Sequence, residues 1–375
     1  MAPIYTFPVI RILGTLDWQS FLKRPRLPTP SPEVLDVLYR QSVLITGAGG
    51  SIGSALALRI ADLAPSALML LDRSESRLYA LQQAWADSGI GGAMTPILGS
   101  VSDRTLLDEL FNQHAPKIVF HAAAFKHVPL IEGQPLAAIV NNVFGTLTLT
   151  RAAAAHGARM VLLSTDKAVE PASVMGATKR VAEQIVLDAG GTVLRLGNVL
   201  ATRDSVSETF ARQIAGGESL SVTDPAARRY FVTLDEAVNL LVISAAQDER
   251  RVLLAPEIET PHFITDLAQF LAKALAPERI IEVDFTSLRP GDKESESFWS
   301  ETESTRPSRV AGLVSVESST LPEGELESAL ACLRTAVDTR DLAAALVHLC
   351  ALVPDYTPSA AVVALSRRDG HRVSQ

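Results

Sequence analysis

The sequence predicts an α/β fold built on a doubly wound parallel sheet. Short apolar runs alternate with helix-like segments from residue 42 to about residue 196. This alternation is typical of parallel sheets whose crossover helices cover both faces. The first apolar run, 42–46, leads into a glycine-rich turn and a helix, and the second, 67–71, ends in Asp72. With 375 residues and 47% hydrophobic content, the chain can bury the core of one large domain or of two closely packed ones.

Composition and charge exclude several classes of protein. The formal net charge of −8 argues against nucleic acid as the main partner, because phosphate binding needs clustered Lys and Arg. No apolar run reaches the roughly 18 to 20 residues that cross a bilayer, and the N-terminus lacks the pattern of a signal peptide. The two cysteines, Cys332 and Cys350, indicate no disulfide framework. We therefore expect a soluble, cytoplasmic protein with no integral membrane segment and no metal site.

A proline-rich stretch opens the chain. Residues 1–40 are expected to form an extended arm that ends in a short helix at 32–40, since four prolines fall between residues 25 and 32. The sequence leaves open whether this arm packs on its own chain or on a neighbouring subunit.

The glycine turn after the first strand has the spacing of a dinucleotide-binding site. Gly47, Gly50 and Gly53 fall three residues apart, and Ser51 and Ile52 lie between the last two. In this motif the first glycine permits the tight turn, the second lets the backbone approach a pyrophosphate, and the third lets the helix pack closely. Free N–H groups at the helix N-terminus then face the phosphates.

Asp72 indicates the cofactor. It ends the second strand about 20 residues beyond Gly53, where a carboxylate is expected to bind the adenosine ribose hydroxyls. A carboxylate would repel a 2′-phosphate and so favours NAD, whereas Arg73 directly after it would suit NADP. We therefore predict a Rossmann-like NAD(P)-binding domain over residues 41–200, with NAD as the cofactor and NADP as the alternative.

Further cofactor contacts are predicted where later strands end. Ser100 and Val101 follow the strand at 94–98, and Ala122 and Ala123 follow the strand at 117–120. The small alanines suit either a close approach to the cofactor or tight packing. Asn142, within the long helix predicted at 136–156, could tie that helix to a neighbouring strand through its amide.

An acid and a base lie side by side at the carboxyl end of the apolar run 160–163. Asp166 and Lys167 follow Thr165 there, and open α/β sheets place their chemistry at this edge. A helix that begins near Met175 comes next. Spacing alone leaves two interpretations open, a reactive pair or an exposed ion pair at a helix start.

Beyond Gly197 the alternation becomes less regular, which predicts a smaller C-terminal substrate-binding lobe at 201–293, interleaved with the Rossmann domain. Basic clusters around Arg229 and Arg289 could hold a diphosphate, although solvated charge is the default for either cluster alone.

Residues 294–375 are expected to form a flexible polar loop and then two helices. Leucines on one face of the first helix suit core packing or an oligomer contact, and we expect a homo-oligomer. The predicted bounds are 294–308 for the loop and 322–336 and 339–351 for the helices, with a loose tail after Pro358.

Five motifs occur in order along the chain. They are 46–53 (Thr-Gly-Ala-Gly-Gly-Ser-Ile-Gly), 120–130 (Phe-His-Ala-Ala-Ala-Phe-Lys-His-Val-Pro-Leu), 164–169 (Ser-Thr-Asp-Lys-Ala-Val), 174–180 (Val-Met-Gly-Ala-Thr-Lys-Arg) and 197–200 (Gly-Asn-Val-Leu). Over residues 34–293 the chain resembles the nucleotide-sugar 4,6-dehydratases of bacterial polysaccharide biosynthesis, a branch of the extended short-chain dehydrogenase/reductase superfamily. It is most similar to the branch typified by UDP-N-acetylglucosamine 4,6-dehydratases. Larger members of that branch carry an N-terminal membrane part, which the resemblance predicts to be absent here.

The resemblance implies a UDP-sugar substrate and tightly held NAD. In the family, a hydride leaves sugar C4 for the cofactor, a base removes the C5 proton, water leaves from C6, and the hydride returns to C6. By resemblance, Lys167 is the base at C5, Asp166 the acid at C6, and Thr165 a contact of the 4-hydroxyl. Lys179 would hold the nicotinamide ribose. The substrate contacts that the resemblance implies are Lys126, His127, Asn198, Arg229, Arg289 and Asp292.

Met175 occupies the position at which most of the superfamily carries a tyrosine base, four residues before Lys179. Methionine cannot titrate, so another group must accept the C4 hydroxyl proton, with Asp166, Lys167 and water as candidates. The resembled branch also carries methionine there. A plain packing role for Met175 is equally open.

The chain departs from the family pattern where a substrate would bind. Residues 201–206 (Ala-Thr-Arg-Asp-Ser-Val) replace Gly-Ser-x-Gly-Ser-Val, which predicts a reshaped loop facing the substrate. Asp292 replaces a glutamate, Ser100 replaces a common aspartate, and residues 294–299 replace a leucine and paired acids. Two further functions therefore stay open: a nucleotide-sugar epimerase, which oxidises C4 without expelling water, and an NAD(P)-binding paralogue without turnover. The Asp166–Lys167 pair favours the dehydratase.

Overall fold

Fifteen strands lie within the described parts of the chain, which in this computed structural model are residues 8–92, 94–310, 312–318 and 324–370. They are β1 Ser42–Thr46, β2 Ala67–Asp72, β3 Met94–Leu98, β4 Ile118–His121, β5 Arg159–Thr165, β6 Thr192–Leu196, β7 Asn198–Val199, β8 Leu220–Val222, β9 Arg228–Arg229, β10 Phe231–Val232, β11 Val252–Pro256, β12 His262–Phe263, β13 Val283–Phe285, β14 Ser304–Pro307 and β15 Leu313–Glu317.

The helices are α1 Pro8–Leu13, α2 Trp18–Leu22, α3 Pro32–Leu38, α4 Ser51–Ala61, α5 Glu75–Ser88, α6 Arg104–His114, α7 Val128–Glu132, α8 Pro135–Ala138, α9 Gly145–Ala155, α10 Val174–Asp188, α11 Val206–Gly216, α12 Leu234–Ala245, α13 Ile264–Leu275, α14 Glu325–Asp338, α15 Leu342–Leu352 and α16 Ala360–Gly370. A π-helical segment, Ile139–Phe144, joins α8 to α9, and a 3-10 turn, Asp166–Ala168, follows β5.

A large sheet organises the described residues, with the strand order β14-β15-β11-β6-β5-β4-β1-β2-β3. The strands from β11 to β3 run parallel, whereas β15 pairs antiparallel with both β11 and the edge strand β14. Strands β4, β6 and β11 are buried along their whole length, which is why they read as unbroken apolar runs in the sequence. The run β3-β2-β1-β4-β5-β6 is the order of a doubly wound Rossmann sheet, so the predicted fold class is confirmed.

A second apolar core lies beside the sheet, formed by α11, α13 and the two-stranded pairs β8–β13 and β9–β12. The N-terminal helices pack into it through Trp18 and Phe21, whose rings contact Phe270 and Phe231. The expectation of an extended arm with a single helix is therefore wrong. Helices α1 and α2 form because Leu13 of α1 and the aromatic rings of α2 find an apolar face on the same chain. Residues 1–7 of the arm lie outside the described residues.

The expected flexible loop at 294–308 is also wrong. Phe298 is buried against the ring of Tyr230, and β14 adds Ser304–Pro307 to the sheet edge. Lobe and sheet are interleaved as expected, since α12 and β11 return the chain from the second core to the large sheet.

The C-terminal helices pack over α10 in a third apolar cluster. Leu330 and Leu333 of α14 are buried there with Met175, so this leucine face is core within the chain. The predicted helix start at residue 322 lies outside the described residues, and α16 forms where a loose tail was expected, up to residue 370. A homo-oligomer stays a prediction. Within the described ranges no helix is both long and apolar enough to cross a membrane.

Candidate active site

The glycine turn between β1 and α4 requires glycine at two positions, because neighbouring backbone atoms leave no room for a Cβ. Gly47 has φ +68°, and a Cβ there would lie 2.7 Å from the backbone nitrogen of Ala123. A Cβ on Gly53 would collide with the carbonyl oxygen of Gly47. Any side chain at these positions would push apart β1, β4 and α4. The turn thus leaves the N-terminus of α4 bare, with Gly50 as its N-cap residue.

Asp72 ties this turn to the end of β2. Its Oδ2 accepts a hydrogen bond from the backbone N–H of Gly49, and its Oδ1 accepts one from Ser74, both at 2.8 Å. Arg73 lies with its guanidinium 4.0 Å from the ring centre of Phe125. Each Asp72 oxygen keeps a lone pair, so the carboxylate still suits ribose hydroxyls.

Other predicted cofactor residues surround the same edge of the sheet. Ser100 closes the turn after β3 by accepting from the N–H of Ser102, and Val101 is buried against Gly145. Asn142 sits in the π-helical segment, and its amide is fully used. The Asn142 side chain accepts a hydrogen bond from the N–H of Phe125 at 2.8 Å. It donates to the Phe125 carbonyl and to the Thr178 hydroxyl, both at 3.1 Å. Asn142 therefore joins the loop after β4 to α10. The single helix predicted at 136–156 is interrupted there, as π segments often are at functional sites.

His121 is a buried neutral link beneath this edge. Its Nδ1 lies 2.7 Å from the hydroxyl of Thr46, and its Nε2 lies 2.9 Å from that of Thr146. Because Thr146 donates its own proton to the carbonyl of Asn142, Nε2 must carry the hydrogen and Nδ1 must accept from Thr46. Burial, and then the charge of Lys179, lower the pKa of His121 to about 3.

Asp166 and Lys167 meet directly after β5. The Lys167 Nζ donates to Asp166 Oδ1 at 2.9 Å, and the hydroxyl of Thr165 donates to the same oxygen at 2.9 Å. The carboxylate of Asp166 is completely buried, and its Oδ2 has no hydrogen-bond partner among the described residues. Burial and the charge of Asp166 raise the pKa of the nearby Tyr230. A buried, unsatisfied carboxylate oxygen is costly, so its persistence indicates a polar group that binds there.

Lys167 also contacts two groups from distant parts of the chain. Its Nζ donates to the Asn198 side chain at 3.0 Å and lies 3.8 Å from a carboxylate oxygen of Glu296. Glu296 is buried and pairs with Lys293 at 2.9 Å and with Arg229 at 4.0 Å. The centre therefore contains a second carboxylate that the sequence pattern did not single out.

Lys179 and Met175, one turn apart on α10, differ in what they offer. The Nζ of Lys179 donates to the carbonyl of Leu163 at 2.7 Å, and burial lowers its pKa to about 8 against the opposing charge of Glu183. Met175 is 5% exposed and belongs to the apolar cluster under α14 and α15. The packing role of Met175 is thus supported by its surroundings.

The predicted substrate arginines have different environments. Arg229 is buried, and its two terminal nitrogens donate to the backbone carbonyls of residues 228, 293 and 294. Its guanidinium is largely used within the chain, and its predicted role as a substrate contact stays a prediction. Arg289 is more than half exposed, and only its Nε pairs, with Asp292 at 2.8 Å. Its terminal nitrogens remain open to a ligand in the described surroundings.

Lys126 and His127 contact the loop at 201–206. Lys126 donates to the carbonyl of Arg203, and the His127 ring lies 3.7 Å from Asp204. The backbone N–H of Arg203 in turn donates to Ser51 in the glycine turn at 3.0 Å. The loop at 201–206, expected to face the substrate, therefore lies across the glycine turn.

A buried network of charged side chains contacts β5 through Ser164. Arg195 of β6 is completely buried and makes paired contacts with Glu183 and Glu303, and Glu183 also accepts from Ser164. Burial alone would raise the pKa of Glu303, but hydrogen bonding and the positive charges of Arg195 and Arg180 lower it to about 2. A charged residue inside the apolar strand 192–196 was the one sequence signal for this network.

The fold and the arrangement of these residues define the extended short-chain dehydrogenase/reductase type. A Rossmann sheet, a three-glycine turn with an acidic partner at the end of β2, and a lysine-bearing helix after β5 are its defining parts.

The chain belongs to the polysaccharide biosynthesis protein family, whose model matches residues 43–318. It is 36% identical over 295 residues to the probable polysaccharide biosynthesis protein EpsC of Bacillus subtilis, covering 76% of this chain and 49% of EpsC. The match to the capsular polysaccharide biosynthesis protein CapD of Staphylococcus aureus is also 36%, over 71% of this chain and 46% of CapD. The chain thus spans about half the length of these two relatives. A UDP-glucose 4-epimerase of Rickettsia canadensis is 32% identical, over 69% of this chain and 77% of that protein.

Solved structures share the fold. The structure of Pen from Bacillus thuringiensis superposes with a TM-score of 0.69 at 26% identity, over 76% of this chain and 89% of Pen. DesIV, a dTDP-glucose 4,6-dehydratase from Streptomyces venezuelae with NAD and TYD bound, superposes with a TM-score of 0.60 at 19% identity, over 68% of this chain and 87% of DesIV. The second likeness shows the fold alone.

Proposed function

We propose that the chain is an NAD-dependent nucleotide-sugar 4,6-dehydratase acting on UDP-N-acetylglucosamine or a related UDP-sugar. The observation that carries this proposal is the buried Asp166, whose Oδ2 has no protein partner in the described chain while Lys167 lies beside its Oδ1. Elimination of water across C5 and C6 needs both an acid and a base at adjacent atoms, and this pair supplies them.

The residues present fit NAD. Because Gly47 and Gly53 carry no Cβ, the turn leaves room for a pyrophosphate at the N-terminus of α4. Asp72 suits the hydroxyls of the adenosine ribose. Lys179, whose Nζ donates to the carbonyl of Leu163 in β5, would hold the nicotinamide ribose. Arg73, beside Phe125, keeps NADP as the alternative. When bound, NAD would supply the hydride acceptor for C4 and the hydride donor for C6.

Lys167 and Asp166 would then move the protons of the elimination. Lys167 would take the C5 proton and would return a proton to C5 when the hydride reaches C6, and Asp166 would protonate the departing C6 hydroxyl so that it leaves as water. Thr165 would receive the C4 hydroxyl proton and pass its own to Asp166, to which it already donates at 2.9 Å. The release of a proton from the C4 hydroxyl would therefore supply Asp166 with the proton that it gives to the departing C6 hydroxyl. This relay supplies the base that Met175, packed in apolar surroundings, cannot be.

The lobe between residues 201 and 293 would hold the UDP part of the substrate. Arg289 is the best-placed diphosphate contact because its terminal nitrogens are exposed, while Asp292 fixes its Nε. Asn198 would orient Lys167 toward the sugar, since it accepts from the Nζ.

The test is incubation of the purified protein with UDP-N-acetylglucosamine, followed by mass spectrometry of the nucleotide sugar. Loss of one water supports the dehydratase. A product of unchanged mass with altered stereochemistry would replace it with the second candidate, an epimerase, which the relative named UDP-glucose 4-epimerase favours. No product from a panel of UDP- and dTDP-sugars would leave a non-catalytic NAD-binding protein.

A further inference from the structure

A short segment of the lobe lies across the dinucleotide-binding turn. We call residues 201–205 the clasp. The backbone N–H of Arg203 donates to Ser51 at 3.0 Å, and the Arg203 guanidinium contacts the carbonyl of Gly49. Both contacts bridge the lobe to the start of α4. The clasp therefore covers the place at which a dinucleotide pyrophosphate sits in this fold.

The clasp is anchored on the far side as well. Lys126, from the loop after β4, donates to the carbonyl of Arg203 at 2.8 Å. The carboxylate of Asp204 lies 3.7 Å from His127 and 3.9 Å from Arg77 of α5. Three separate elements, the glycine turn, the loop after β4 and α5, are thus joined through two residues of the clasp.

The clasp keeps this path at a conformational cost. Ala201 has φ 55° and Asp204 has φ 58°, which are left-handed conformations that side chains disfavour. Each costs on the order of 1 kcal/mol and persists only where surrounding contacts hold it. Glycine stands at both positions in the resembled family. This chain therefore keeps the glycine conformation while adding a carboxylate at Asp204.

Cations and carboxylates meet around the clasp. Arg203 contacts the start of α4, Lys126 contacts the Arg203 carbonyl, and Arg77 lies near Asp204. Asp204 and Glu208 are acidic groups that face both Arg203 and Lys126, and Asp72 also faces Arg203. Burial, and then the charge of Arg77, lower the pKa of Arg203 against the opposing charges of Asp204, Asp72 and Glu208. A pyrophosphate at the glycine turn would add negative charge beside this guanidinium.

We propose that the clasp retains the bound cofactor, with Arg203 and Lys126 contacting its pyrophosphate and Asp204 holding the segment shut. Taking NAD as the ligand rests on the proposed function. A closed site suits a reaction in which the hydride returns to the same sugar, because the cofactor then never needs to exchange. Release of NAD must open the clasp and is therefore slow.

The experiment measures the rate at which NAD leaves the purified protein in the absence of any sugar. Protein loaded with radiolabelled NAD is chased with excess unlabelled NAD and sampled by gel filtration. Arg203→Met removes a charge-assisted contact and is expected to speed release about tenfold. Asp204→Gly is expected to speed it about threefold, since half-exposed ion pairs contribute little individually. Arg104→Met and Asp108→Asn, exposed on α6 where the two residues pair with each other, are the matched controls and should release NAD like the wild type.

Asp204→Gly separates a binding effect from a folding effect. Glycine relieves the left-handed strain, so this variant should melt at or above the wild-type temperature while losing NAD faster. Release from Arg203→Met within twofold of wild type, or a wild type that holds no NAD, would overturn the clasp. If the clasp variants release NAD as expected but the wild type removes no water from any UDP-sugar, the clasp stands and the dehydratase proposal fails.

Discussion

Asp166 offers Lys167 one carboxylate oxygen and keeps the other free. Their contact measures 2.9 Å between Oδ1 and Nζ, while Oδ2 faces no donor in the described chain. Adjacent residues on a strand normally point to opposite faces, but the 3-10 turn after β5 brings both side chains to one side. This turn is what makes a neighbouring pair in sequence a working pair in space.

Asp166→Asn should abolish proton delivery while keeping the shape of the side chain. We expect the turnover rate to fall by about 10²–10⁴, the usual contribution of a general acid, with KM changing little. Steady-state kinetics on the accepted UDP-sugar measures both quantities. Asp103→Asn, at the N-cap of α6, where asparagine caps about as well as aspartate, is the control. A variant that keeps more than a tenth of the wild-type turnover would remove Asp166 from the acid role.

Glu296→Gln should slow catalysis although Glu296 lies far from Lys167 in sequence. Glutamine keeps the volume but loses the charge that holds Lys293 and faces Lys167 and Arg229. We expect turnover to fall by about tenfold, in line with the loss of a positioning contact to a charged group. Glu294→Gln, two residues away and exposed, is the matched control and should behave as wild type. Equal kinetics for the two variants would show that Glu296 is structural only.

Met175 should tolerate a change of shape and resist a change of polarity. Met175→Leu is expected to cost less than about 1.5 kcal/mol in the free energy of unfolding and to keep activity, because the site is apolar packing. Met175→Tyr overfills the same site and should cost about 1–3 kcal/mol without raising turnover. Chemical denaturation and kinetics on both variants check this. A faster Met175→Tyr enzyme would mean that position 175 reaches the substrate.

Stability should fall as the solution becomes acidic, in two stages. The pKa of His121 is lowered from 6.5 to about 3, so the unfolded chain binds a proton below pH 6.5 that the native state refuses. Its contribution is lost as pH falls from 6.5 toward 3, by up to about 1.4 kcal/mol per pH unit. Glu303, lowered from 4.5 to about 2, stabilises above pH 4.5 and loses this contribution between pH 4.5 and 2.

Urea unfolding at several values between pH 7 and pH 4.5 isolates the first stage. The free energy of unfolding should decline over this window in the wild type and decline less in His121→Asn, whatever the absolute stability of the variant. An identical slope in the two proteins would show that His121 does not titrate as its buried contacts require.

The sequence was sufficient for the parts of the fold that depend on neighbours along the chain. Buried parallel strands appear as apolar runs, and Gly47 and Gly53 mark the turn because no side chain fits there. The pairing of Asp72 with that turn followed from a known spacing. The adjacency of Asp166 and Lys167 was visible in the sequence, although their shared orientation required the turn after β5.

Contacts between distant residues were beyond the sequence pattern. The segment at 294–308 reads as polar and flexible, yet Glu296 and Glu303 reach buried cations more than a hundred residues away. Polarity there reflects paired charge inside the protein instead of solvation. The same limit applies to the clasp, since neither Arg203 nor Asp204 reveals its partners through local spacing.

The sharpest test of Lys167 as the C5 base in a dehydratase is isotope incorporation during turnover. Wild-type protein is incubated with UDP-N-acetylglucosamine in deuterated water, and Lys167→Met is treated in parallel. We expect a wild-type product that has lost one water and carries one solvent deuterium at C5, and no such product from Lys167→Met. A wild-type product of unchanged mass without deuterium would exclude the dehydratase, and undiminished C5 exchange in Lys167→Met would exclude Lys167 as the C5 base.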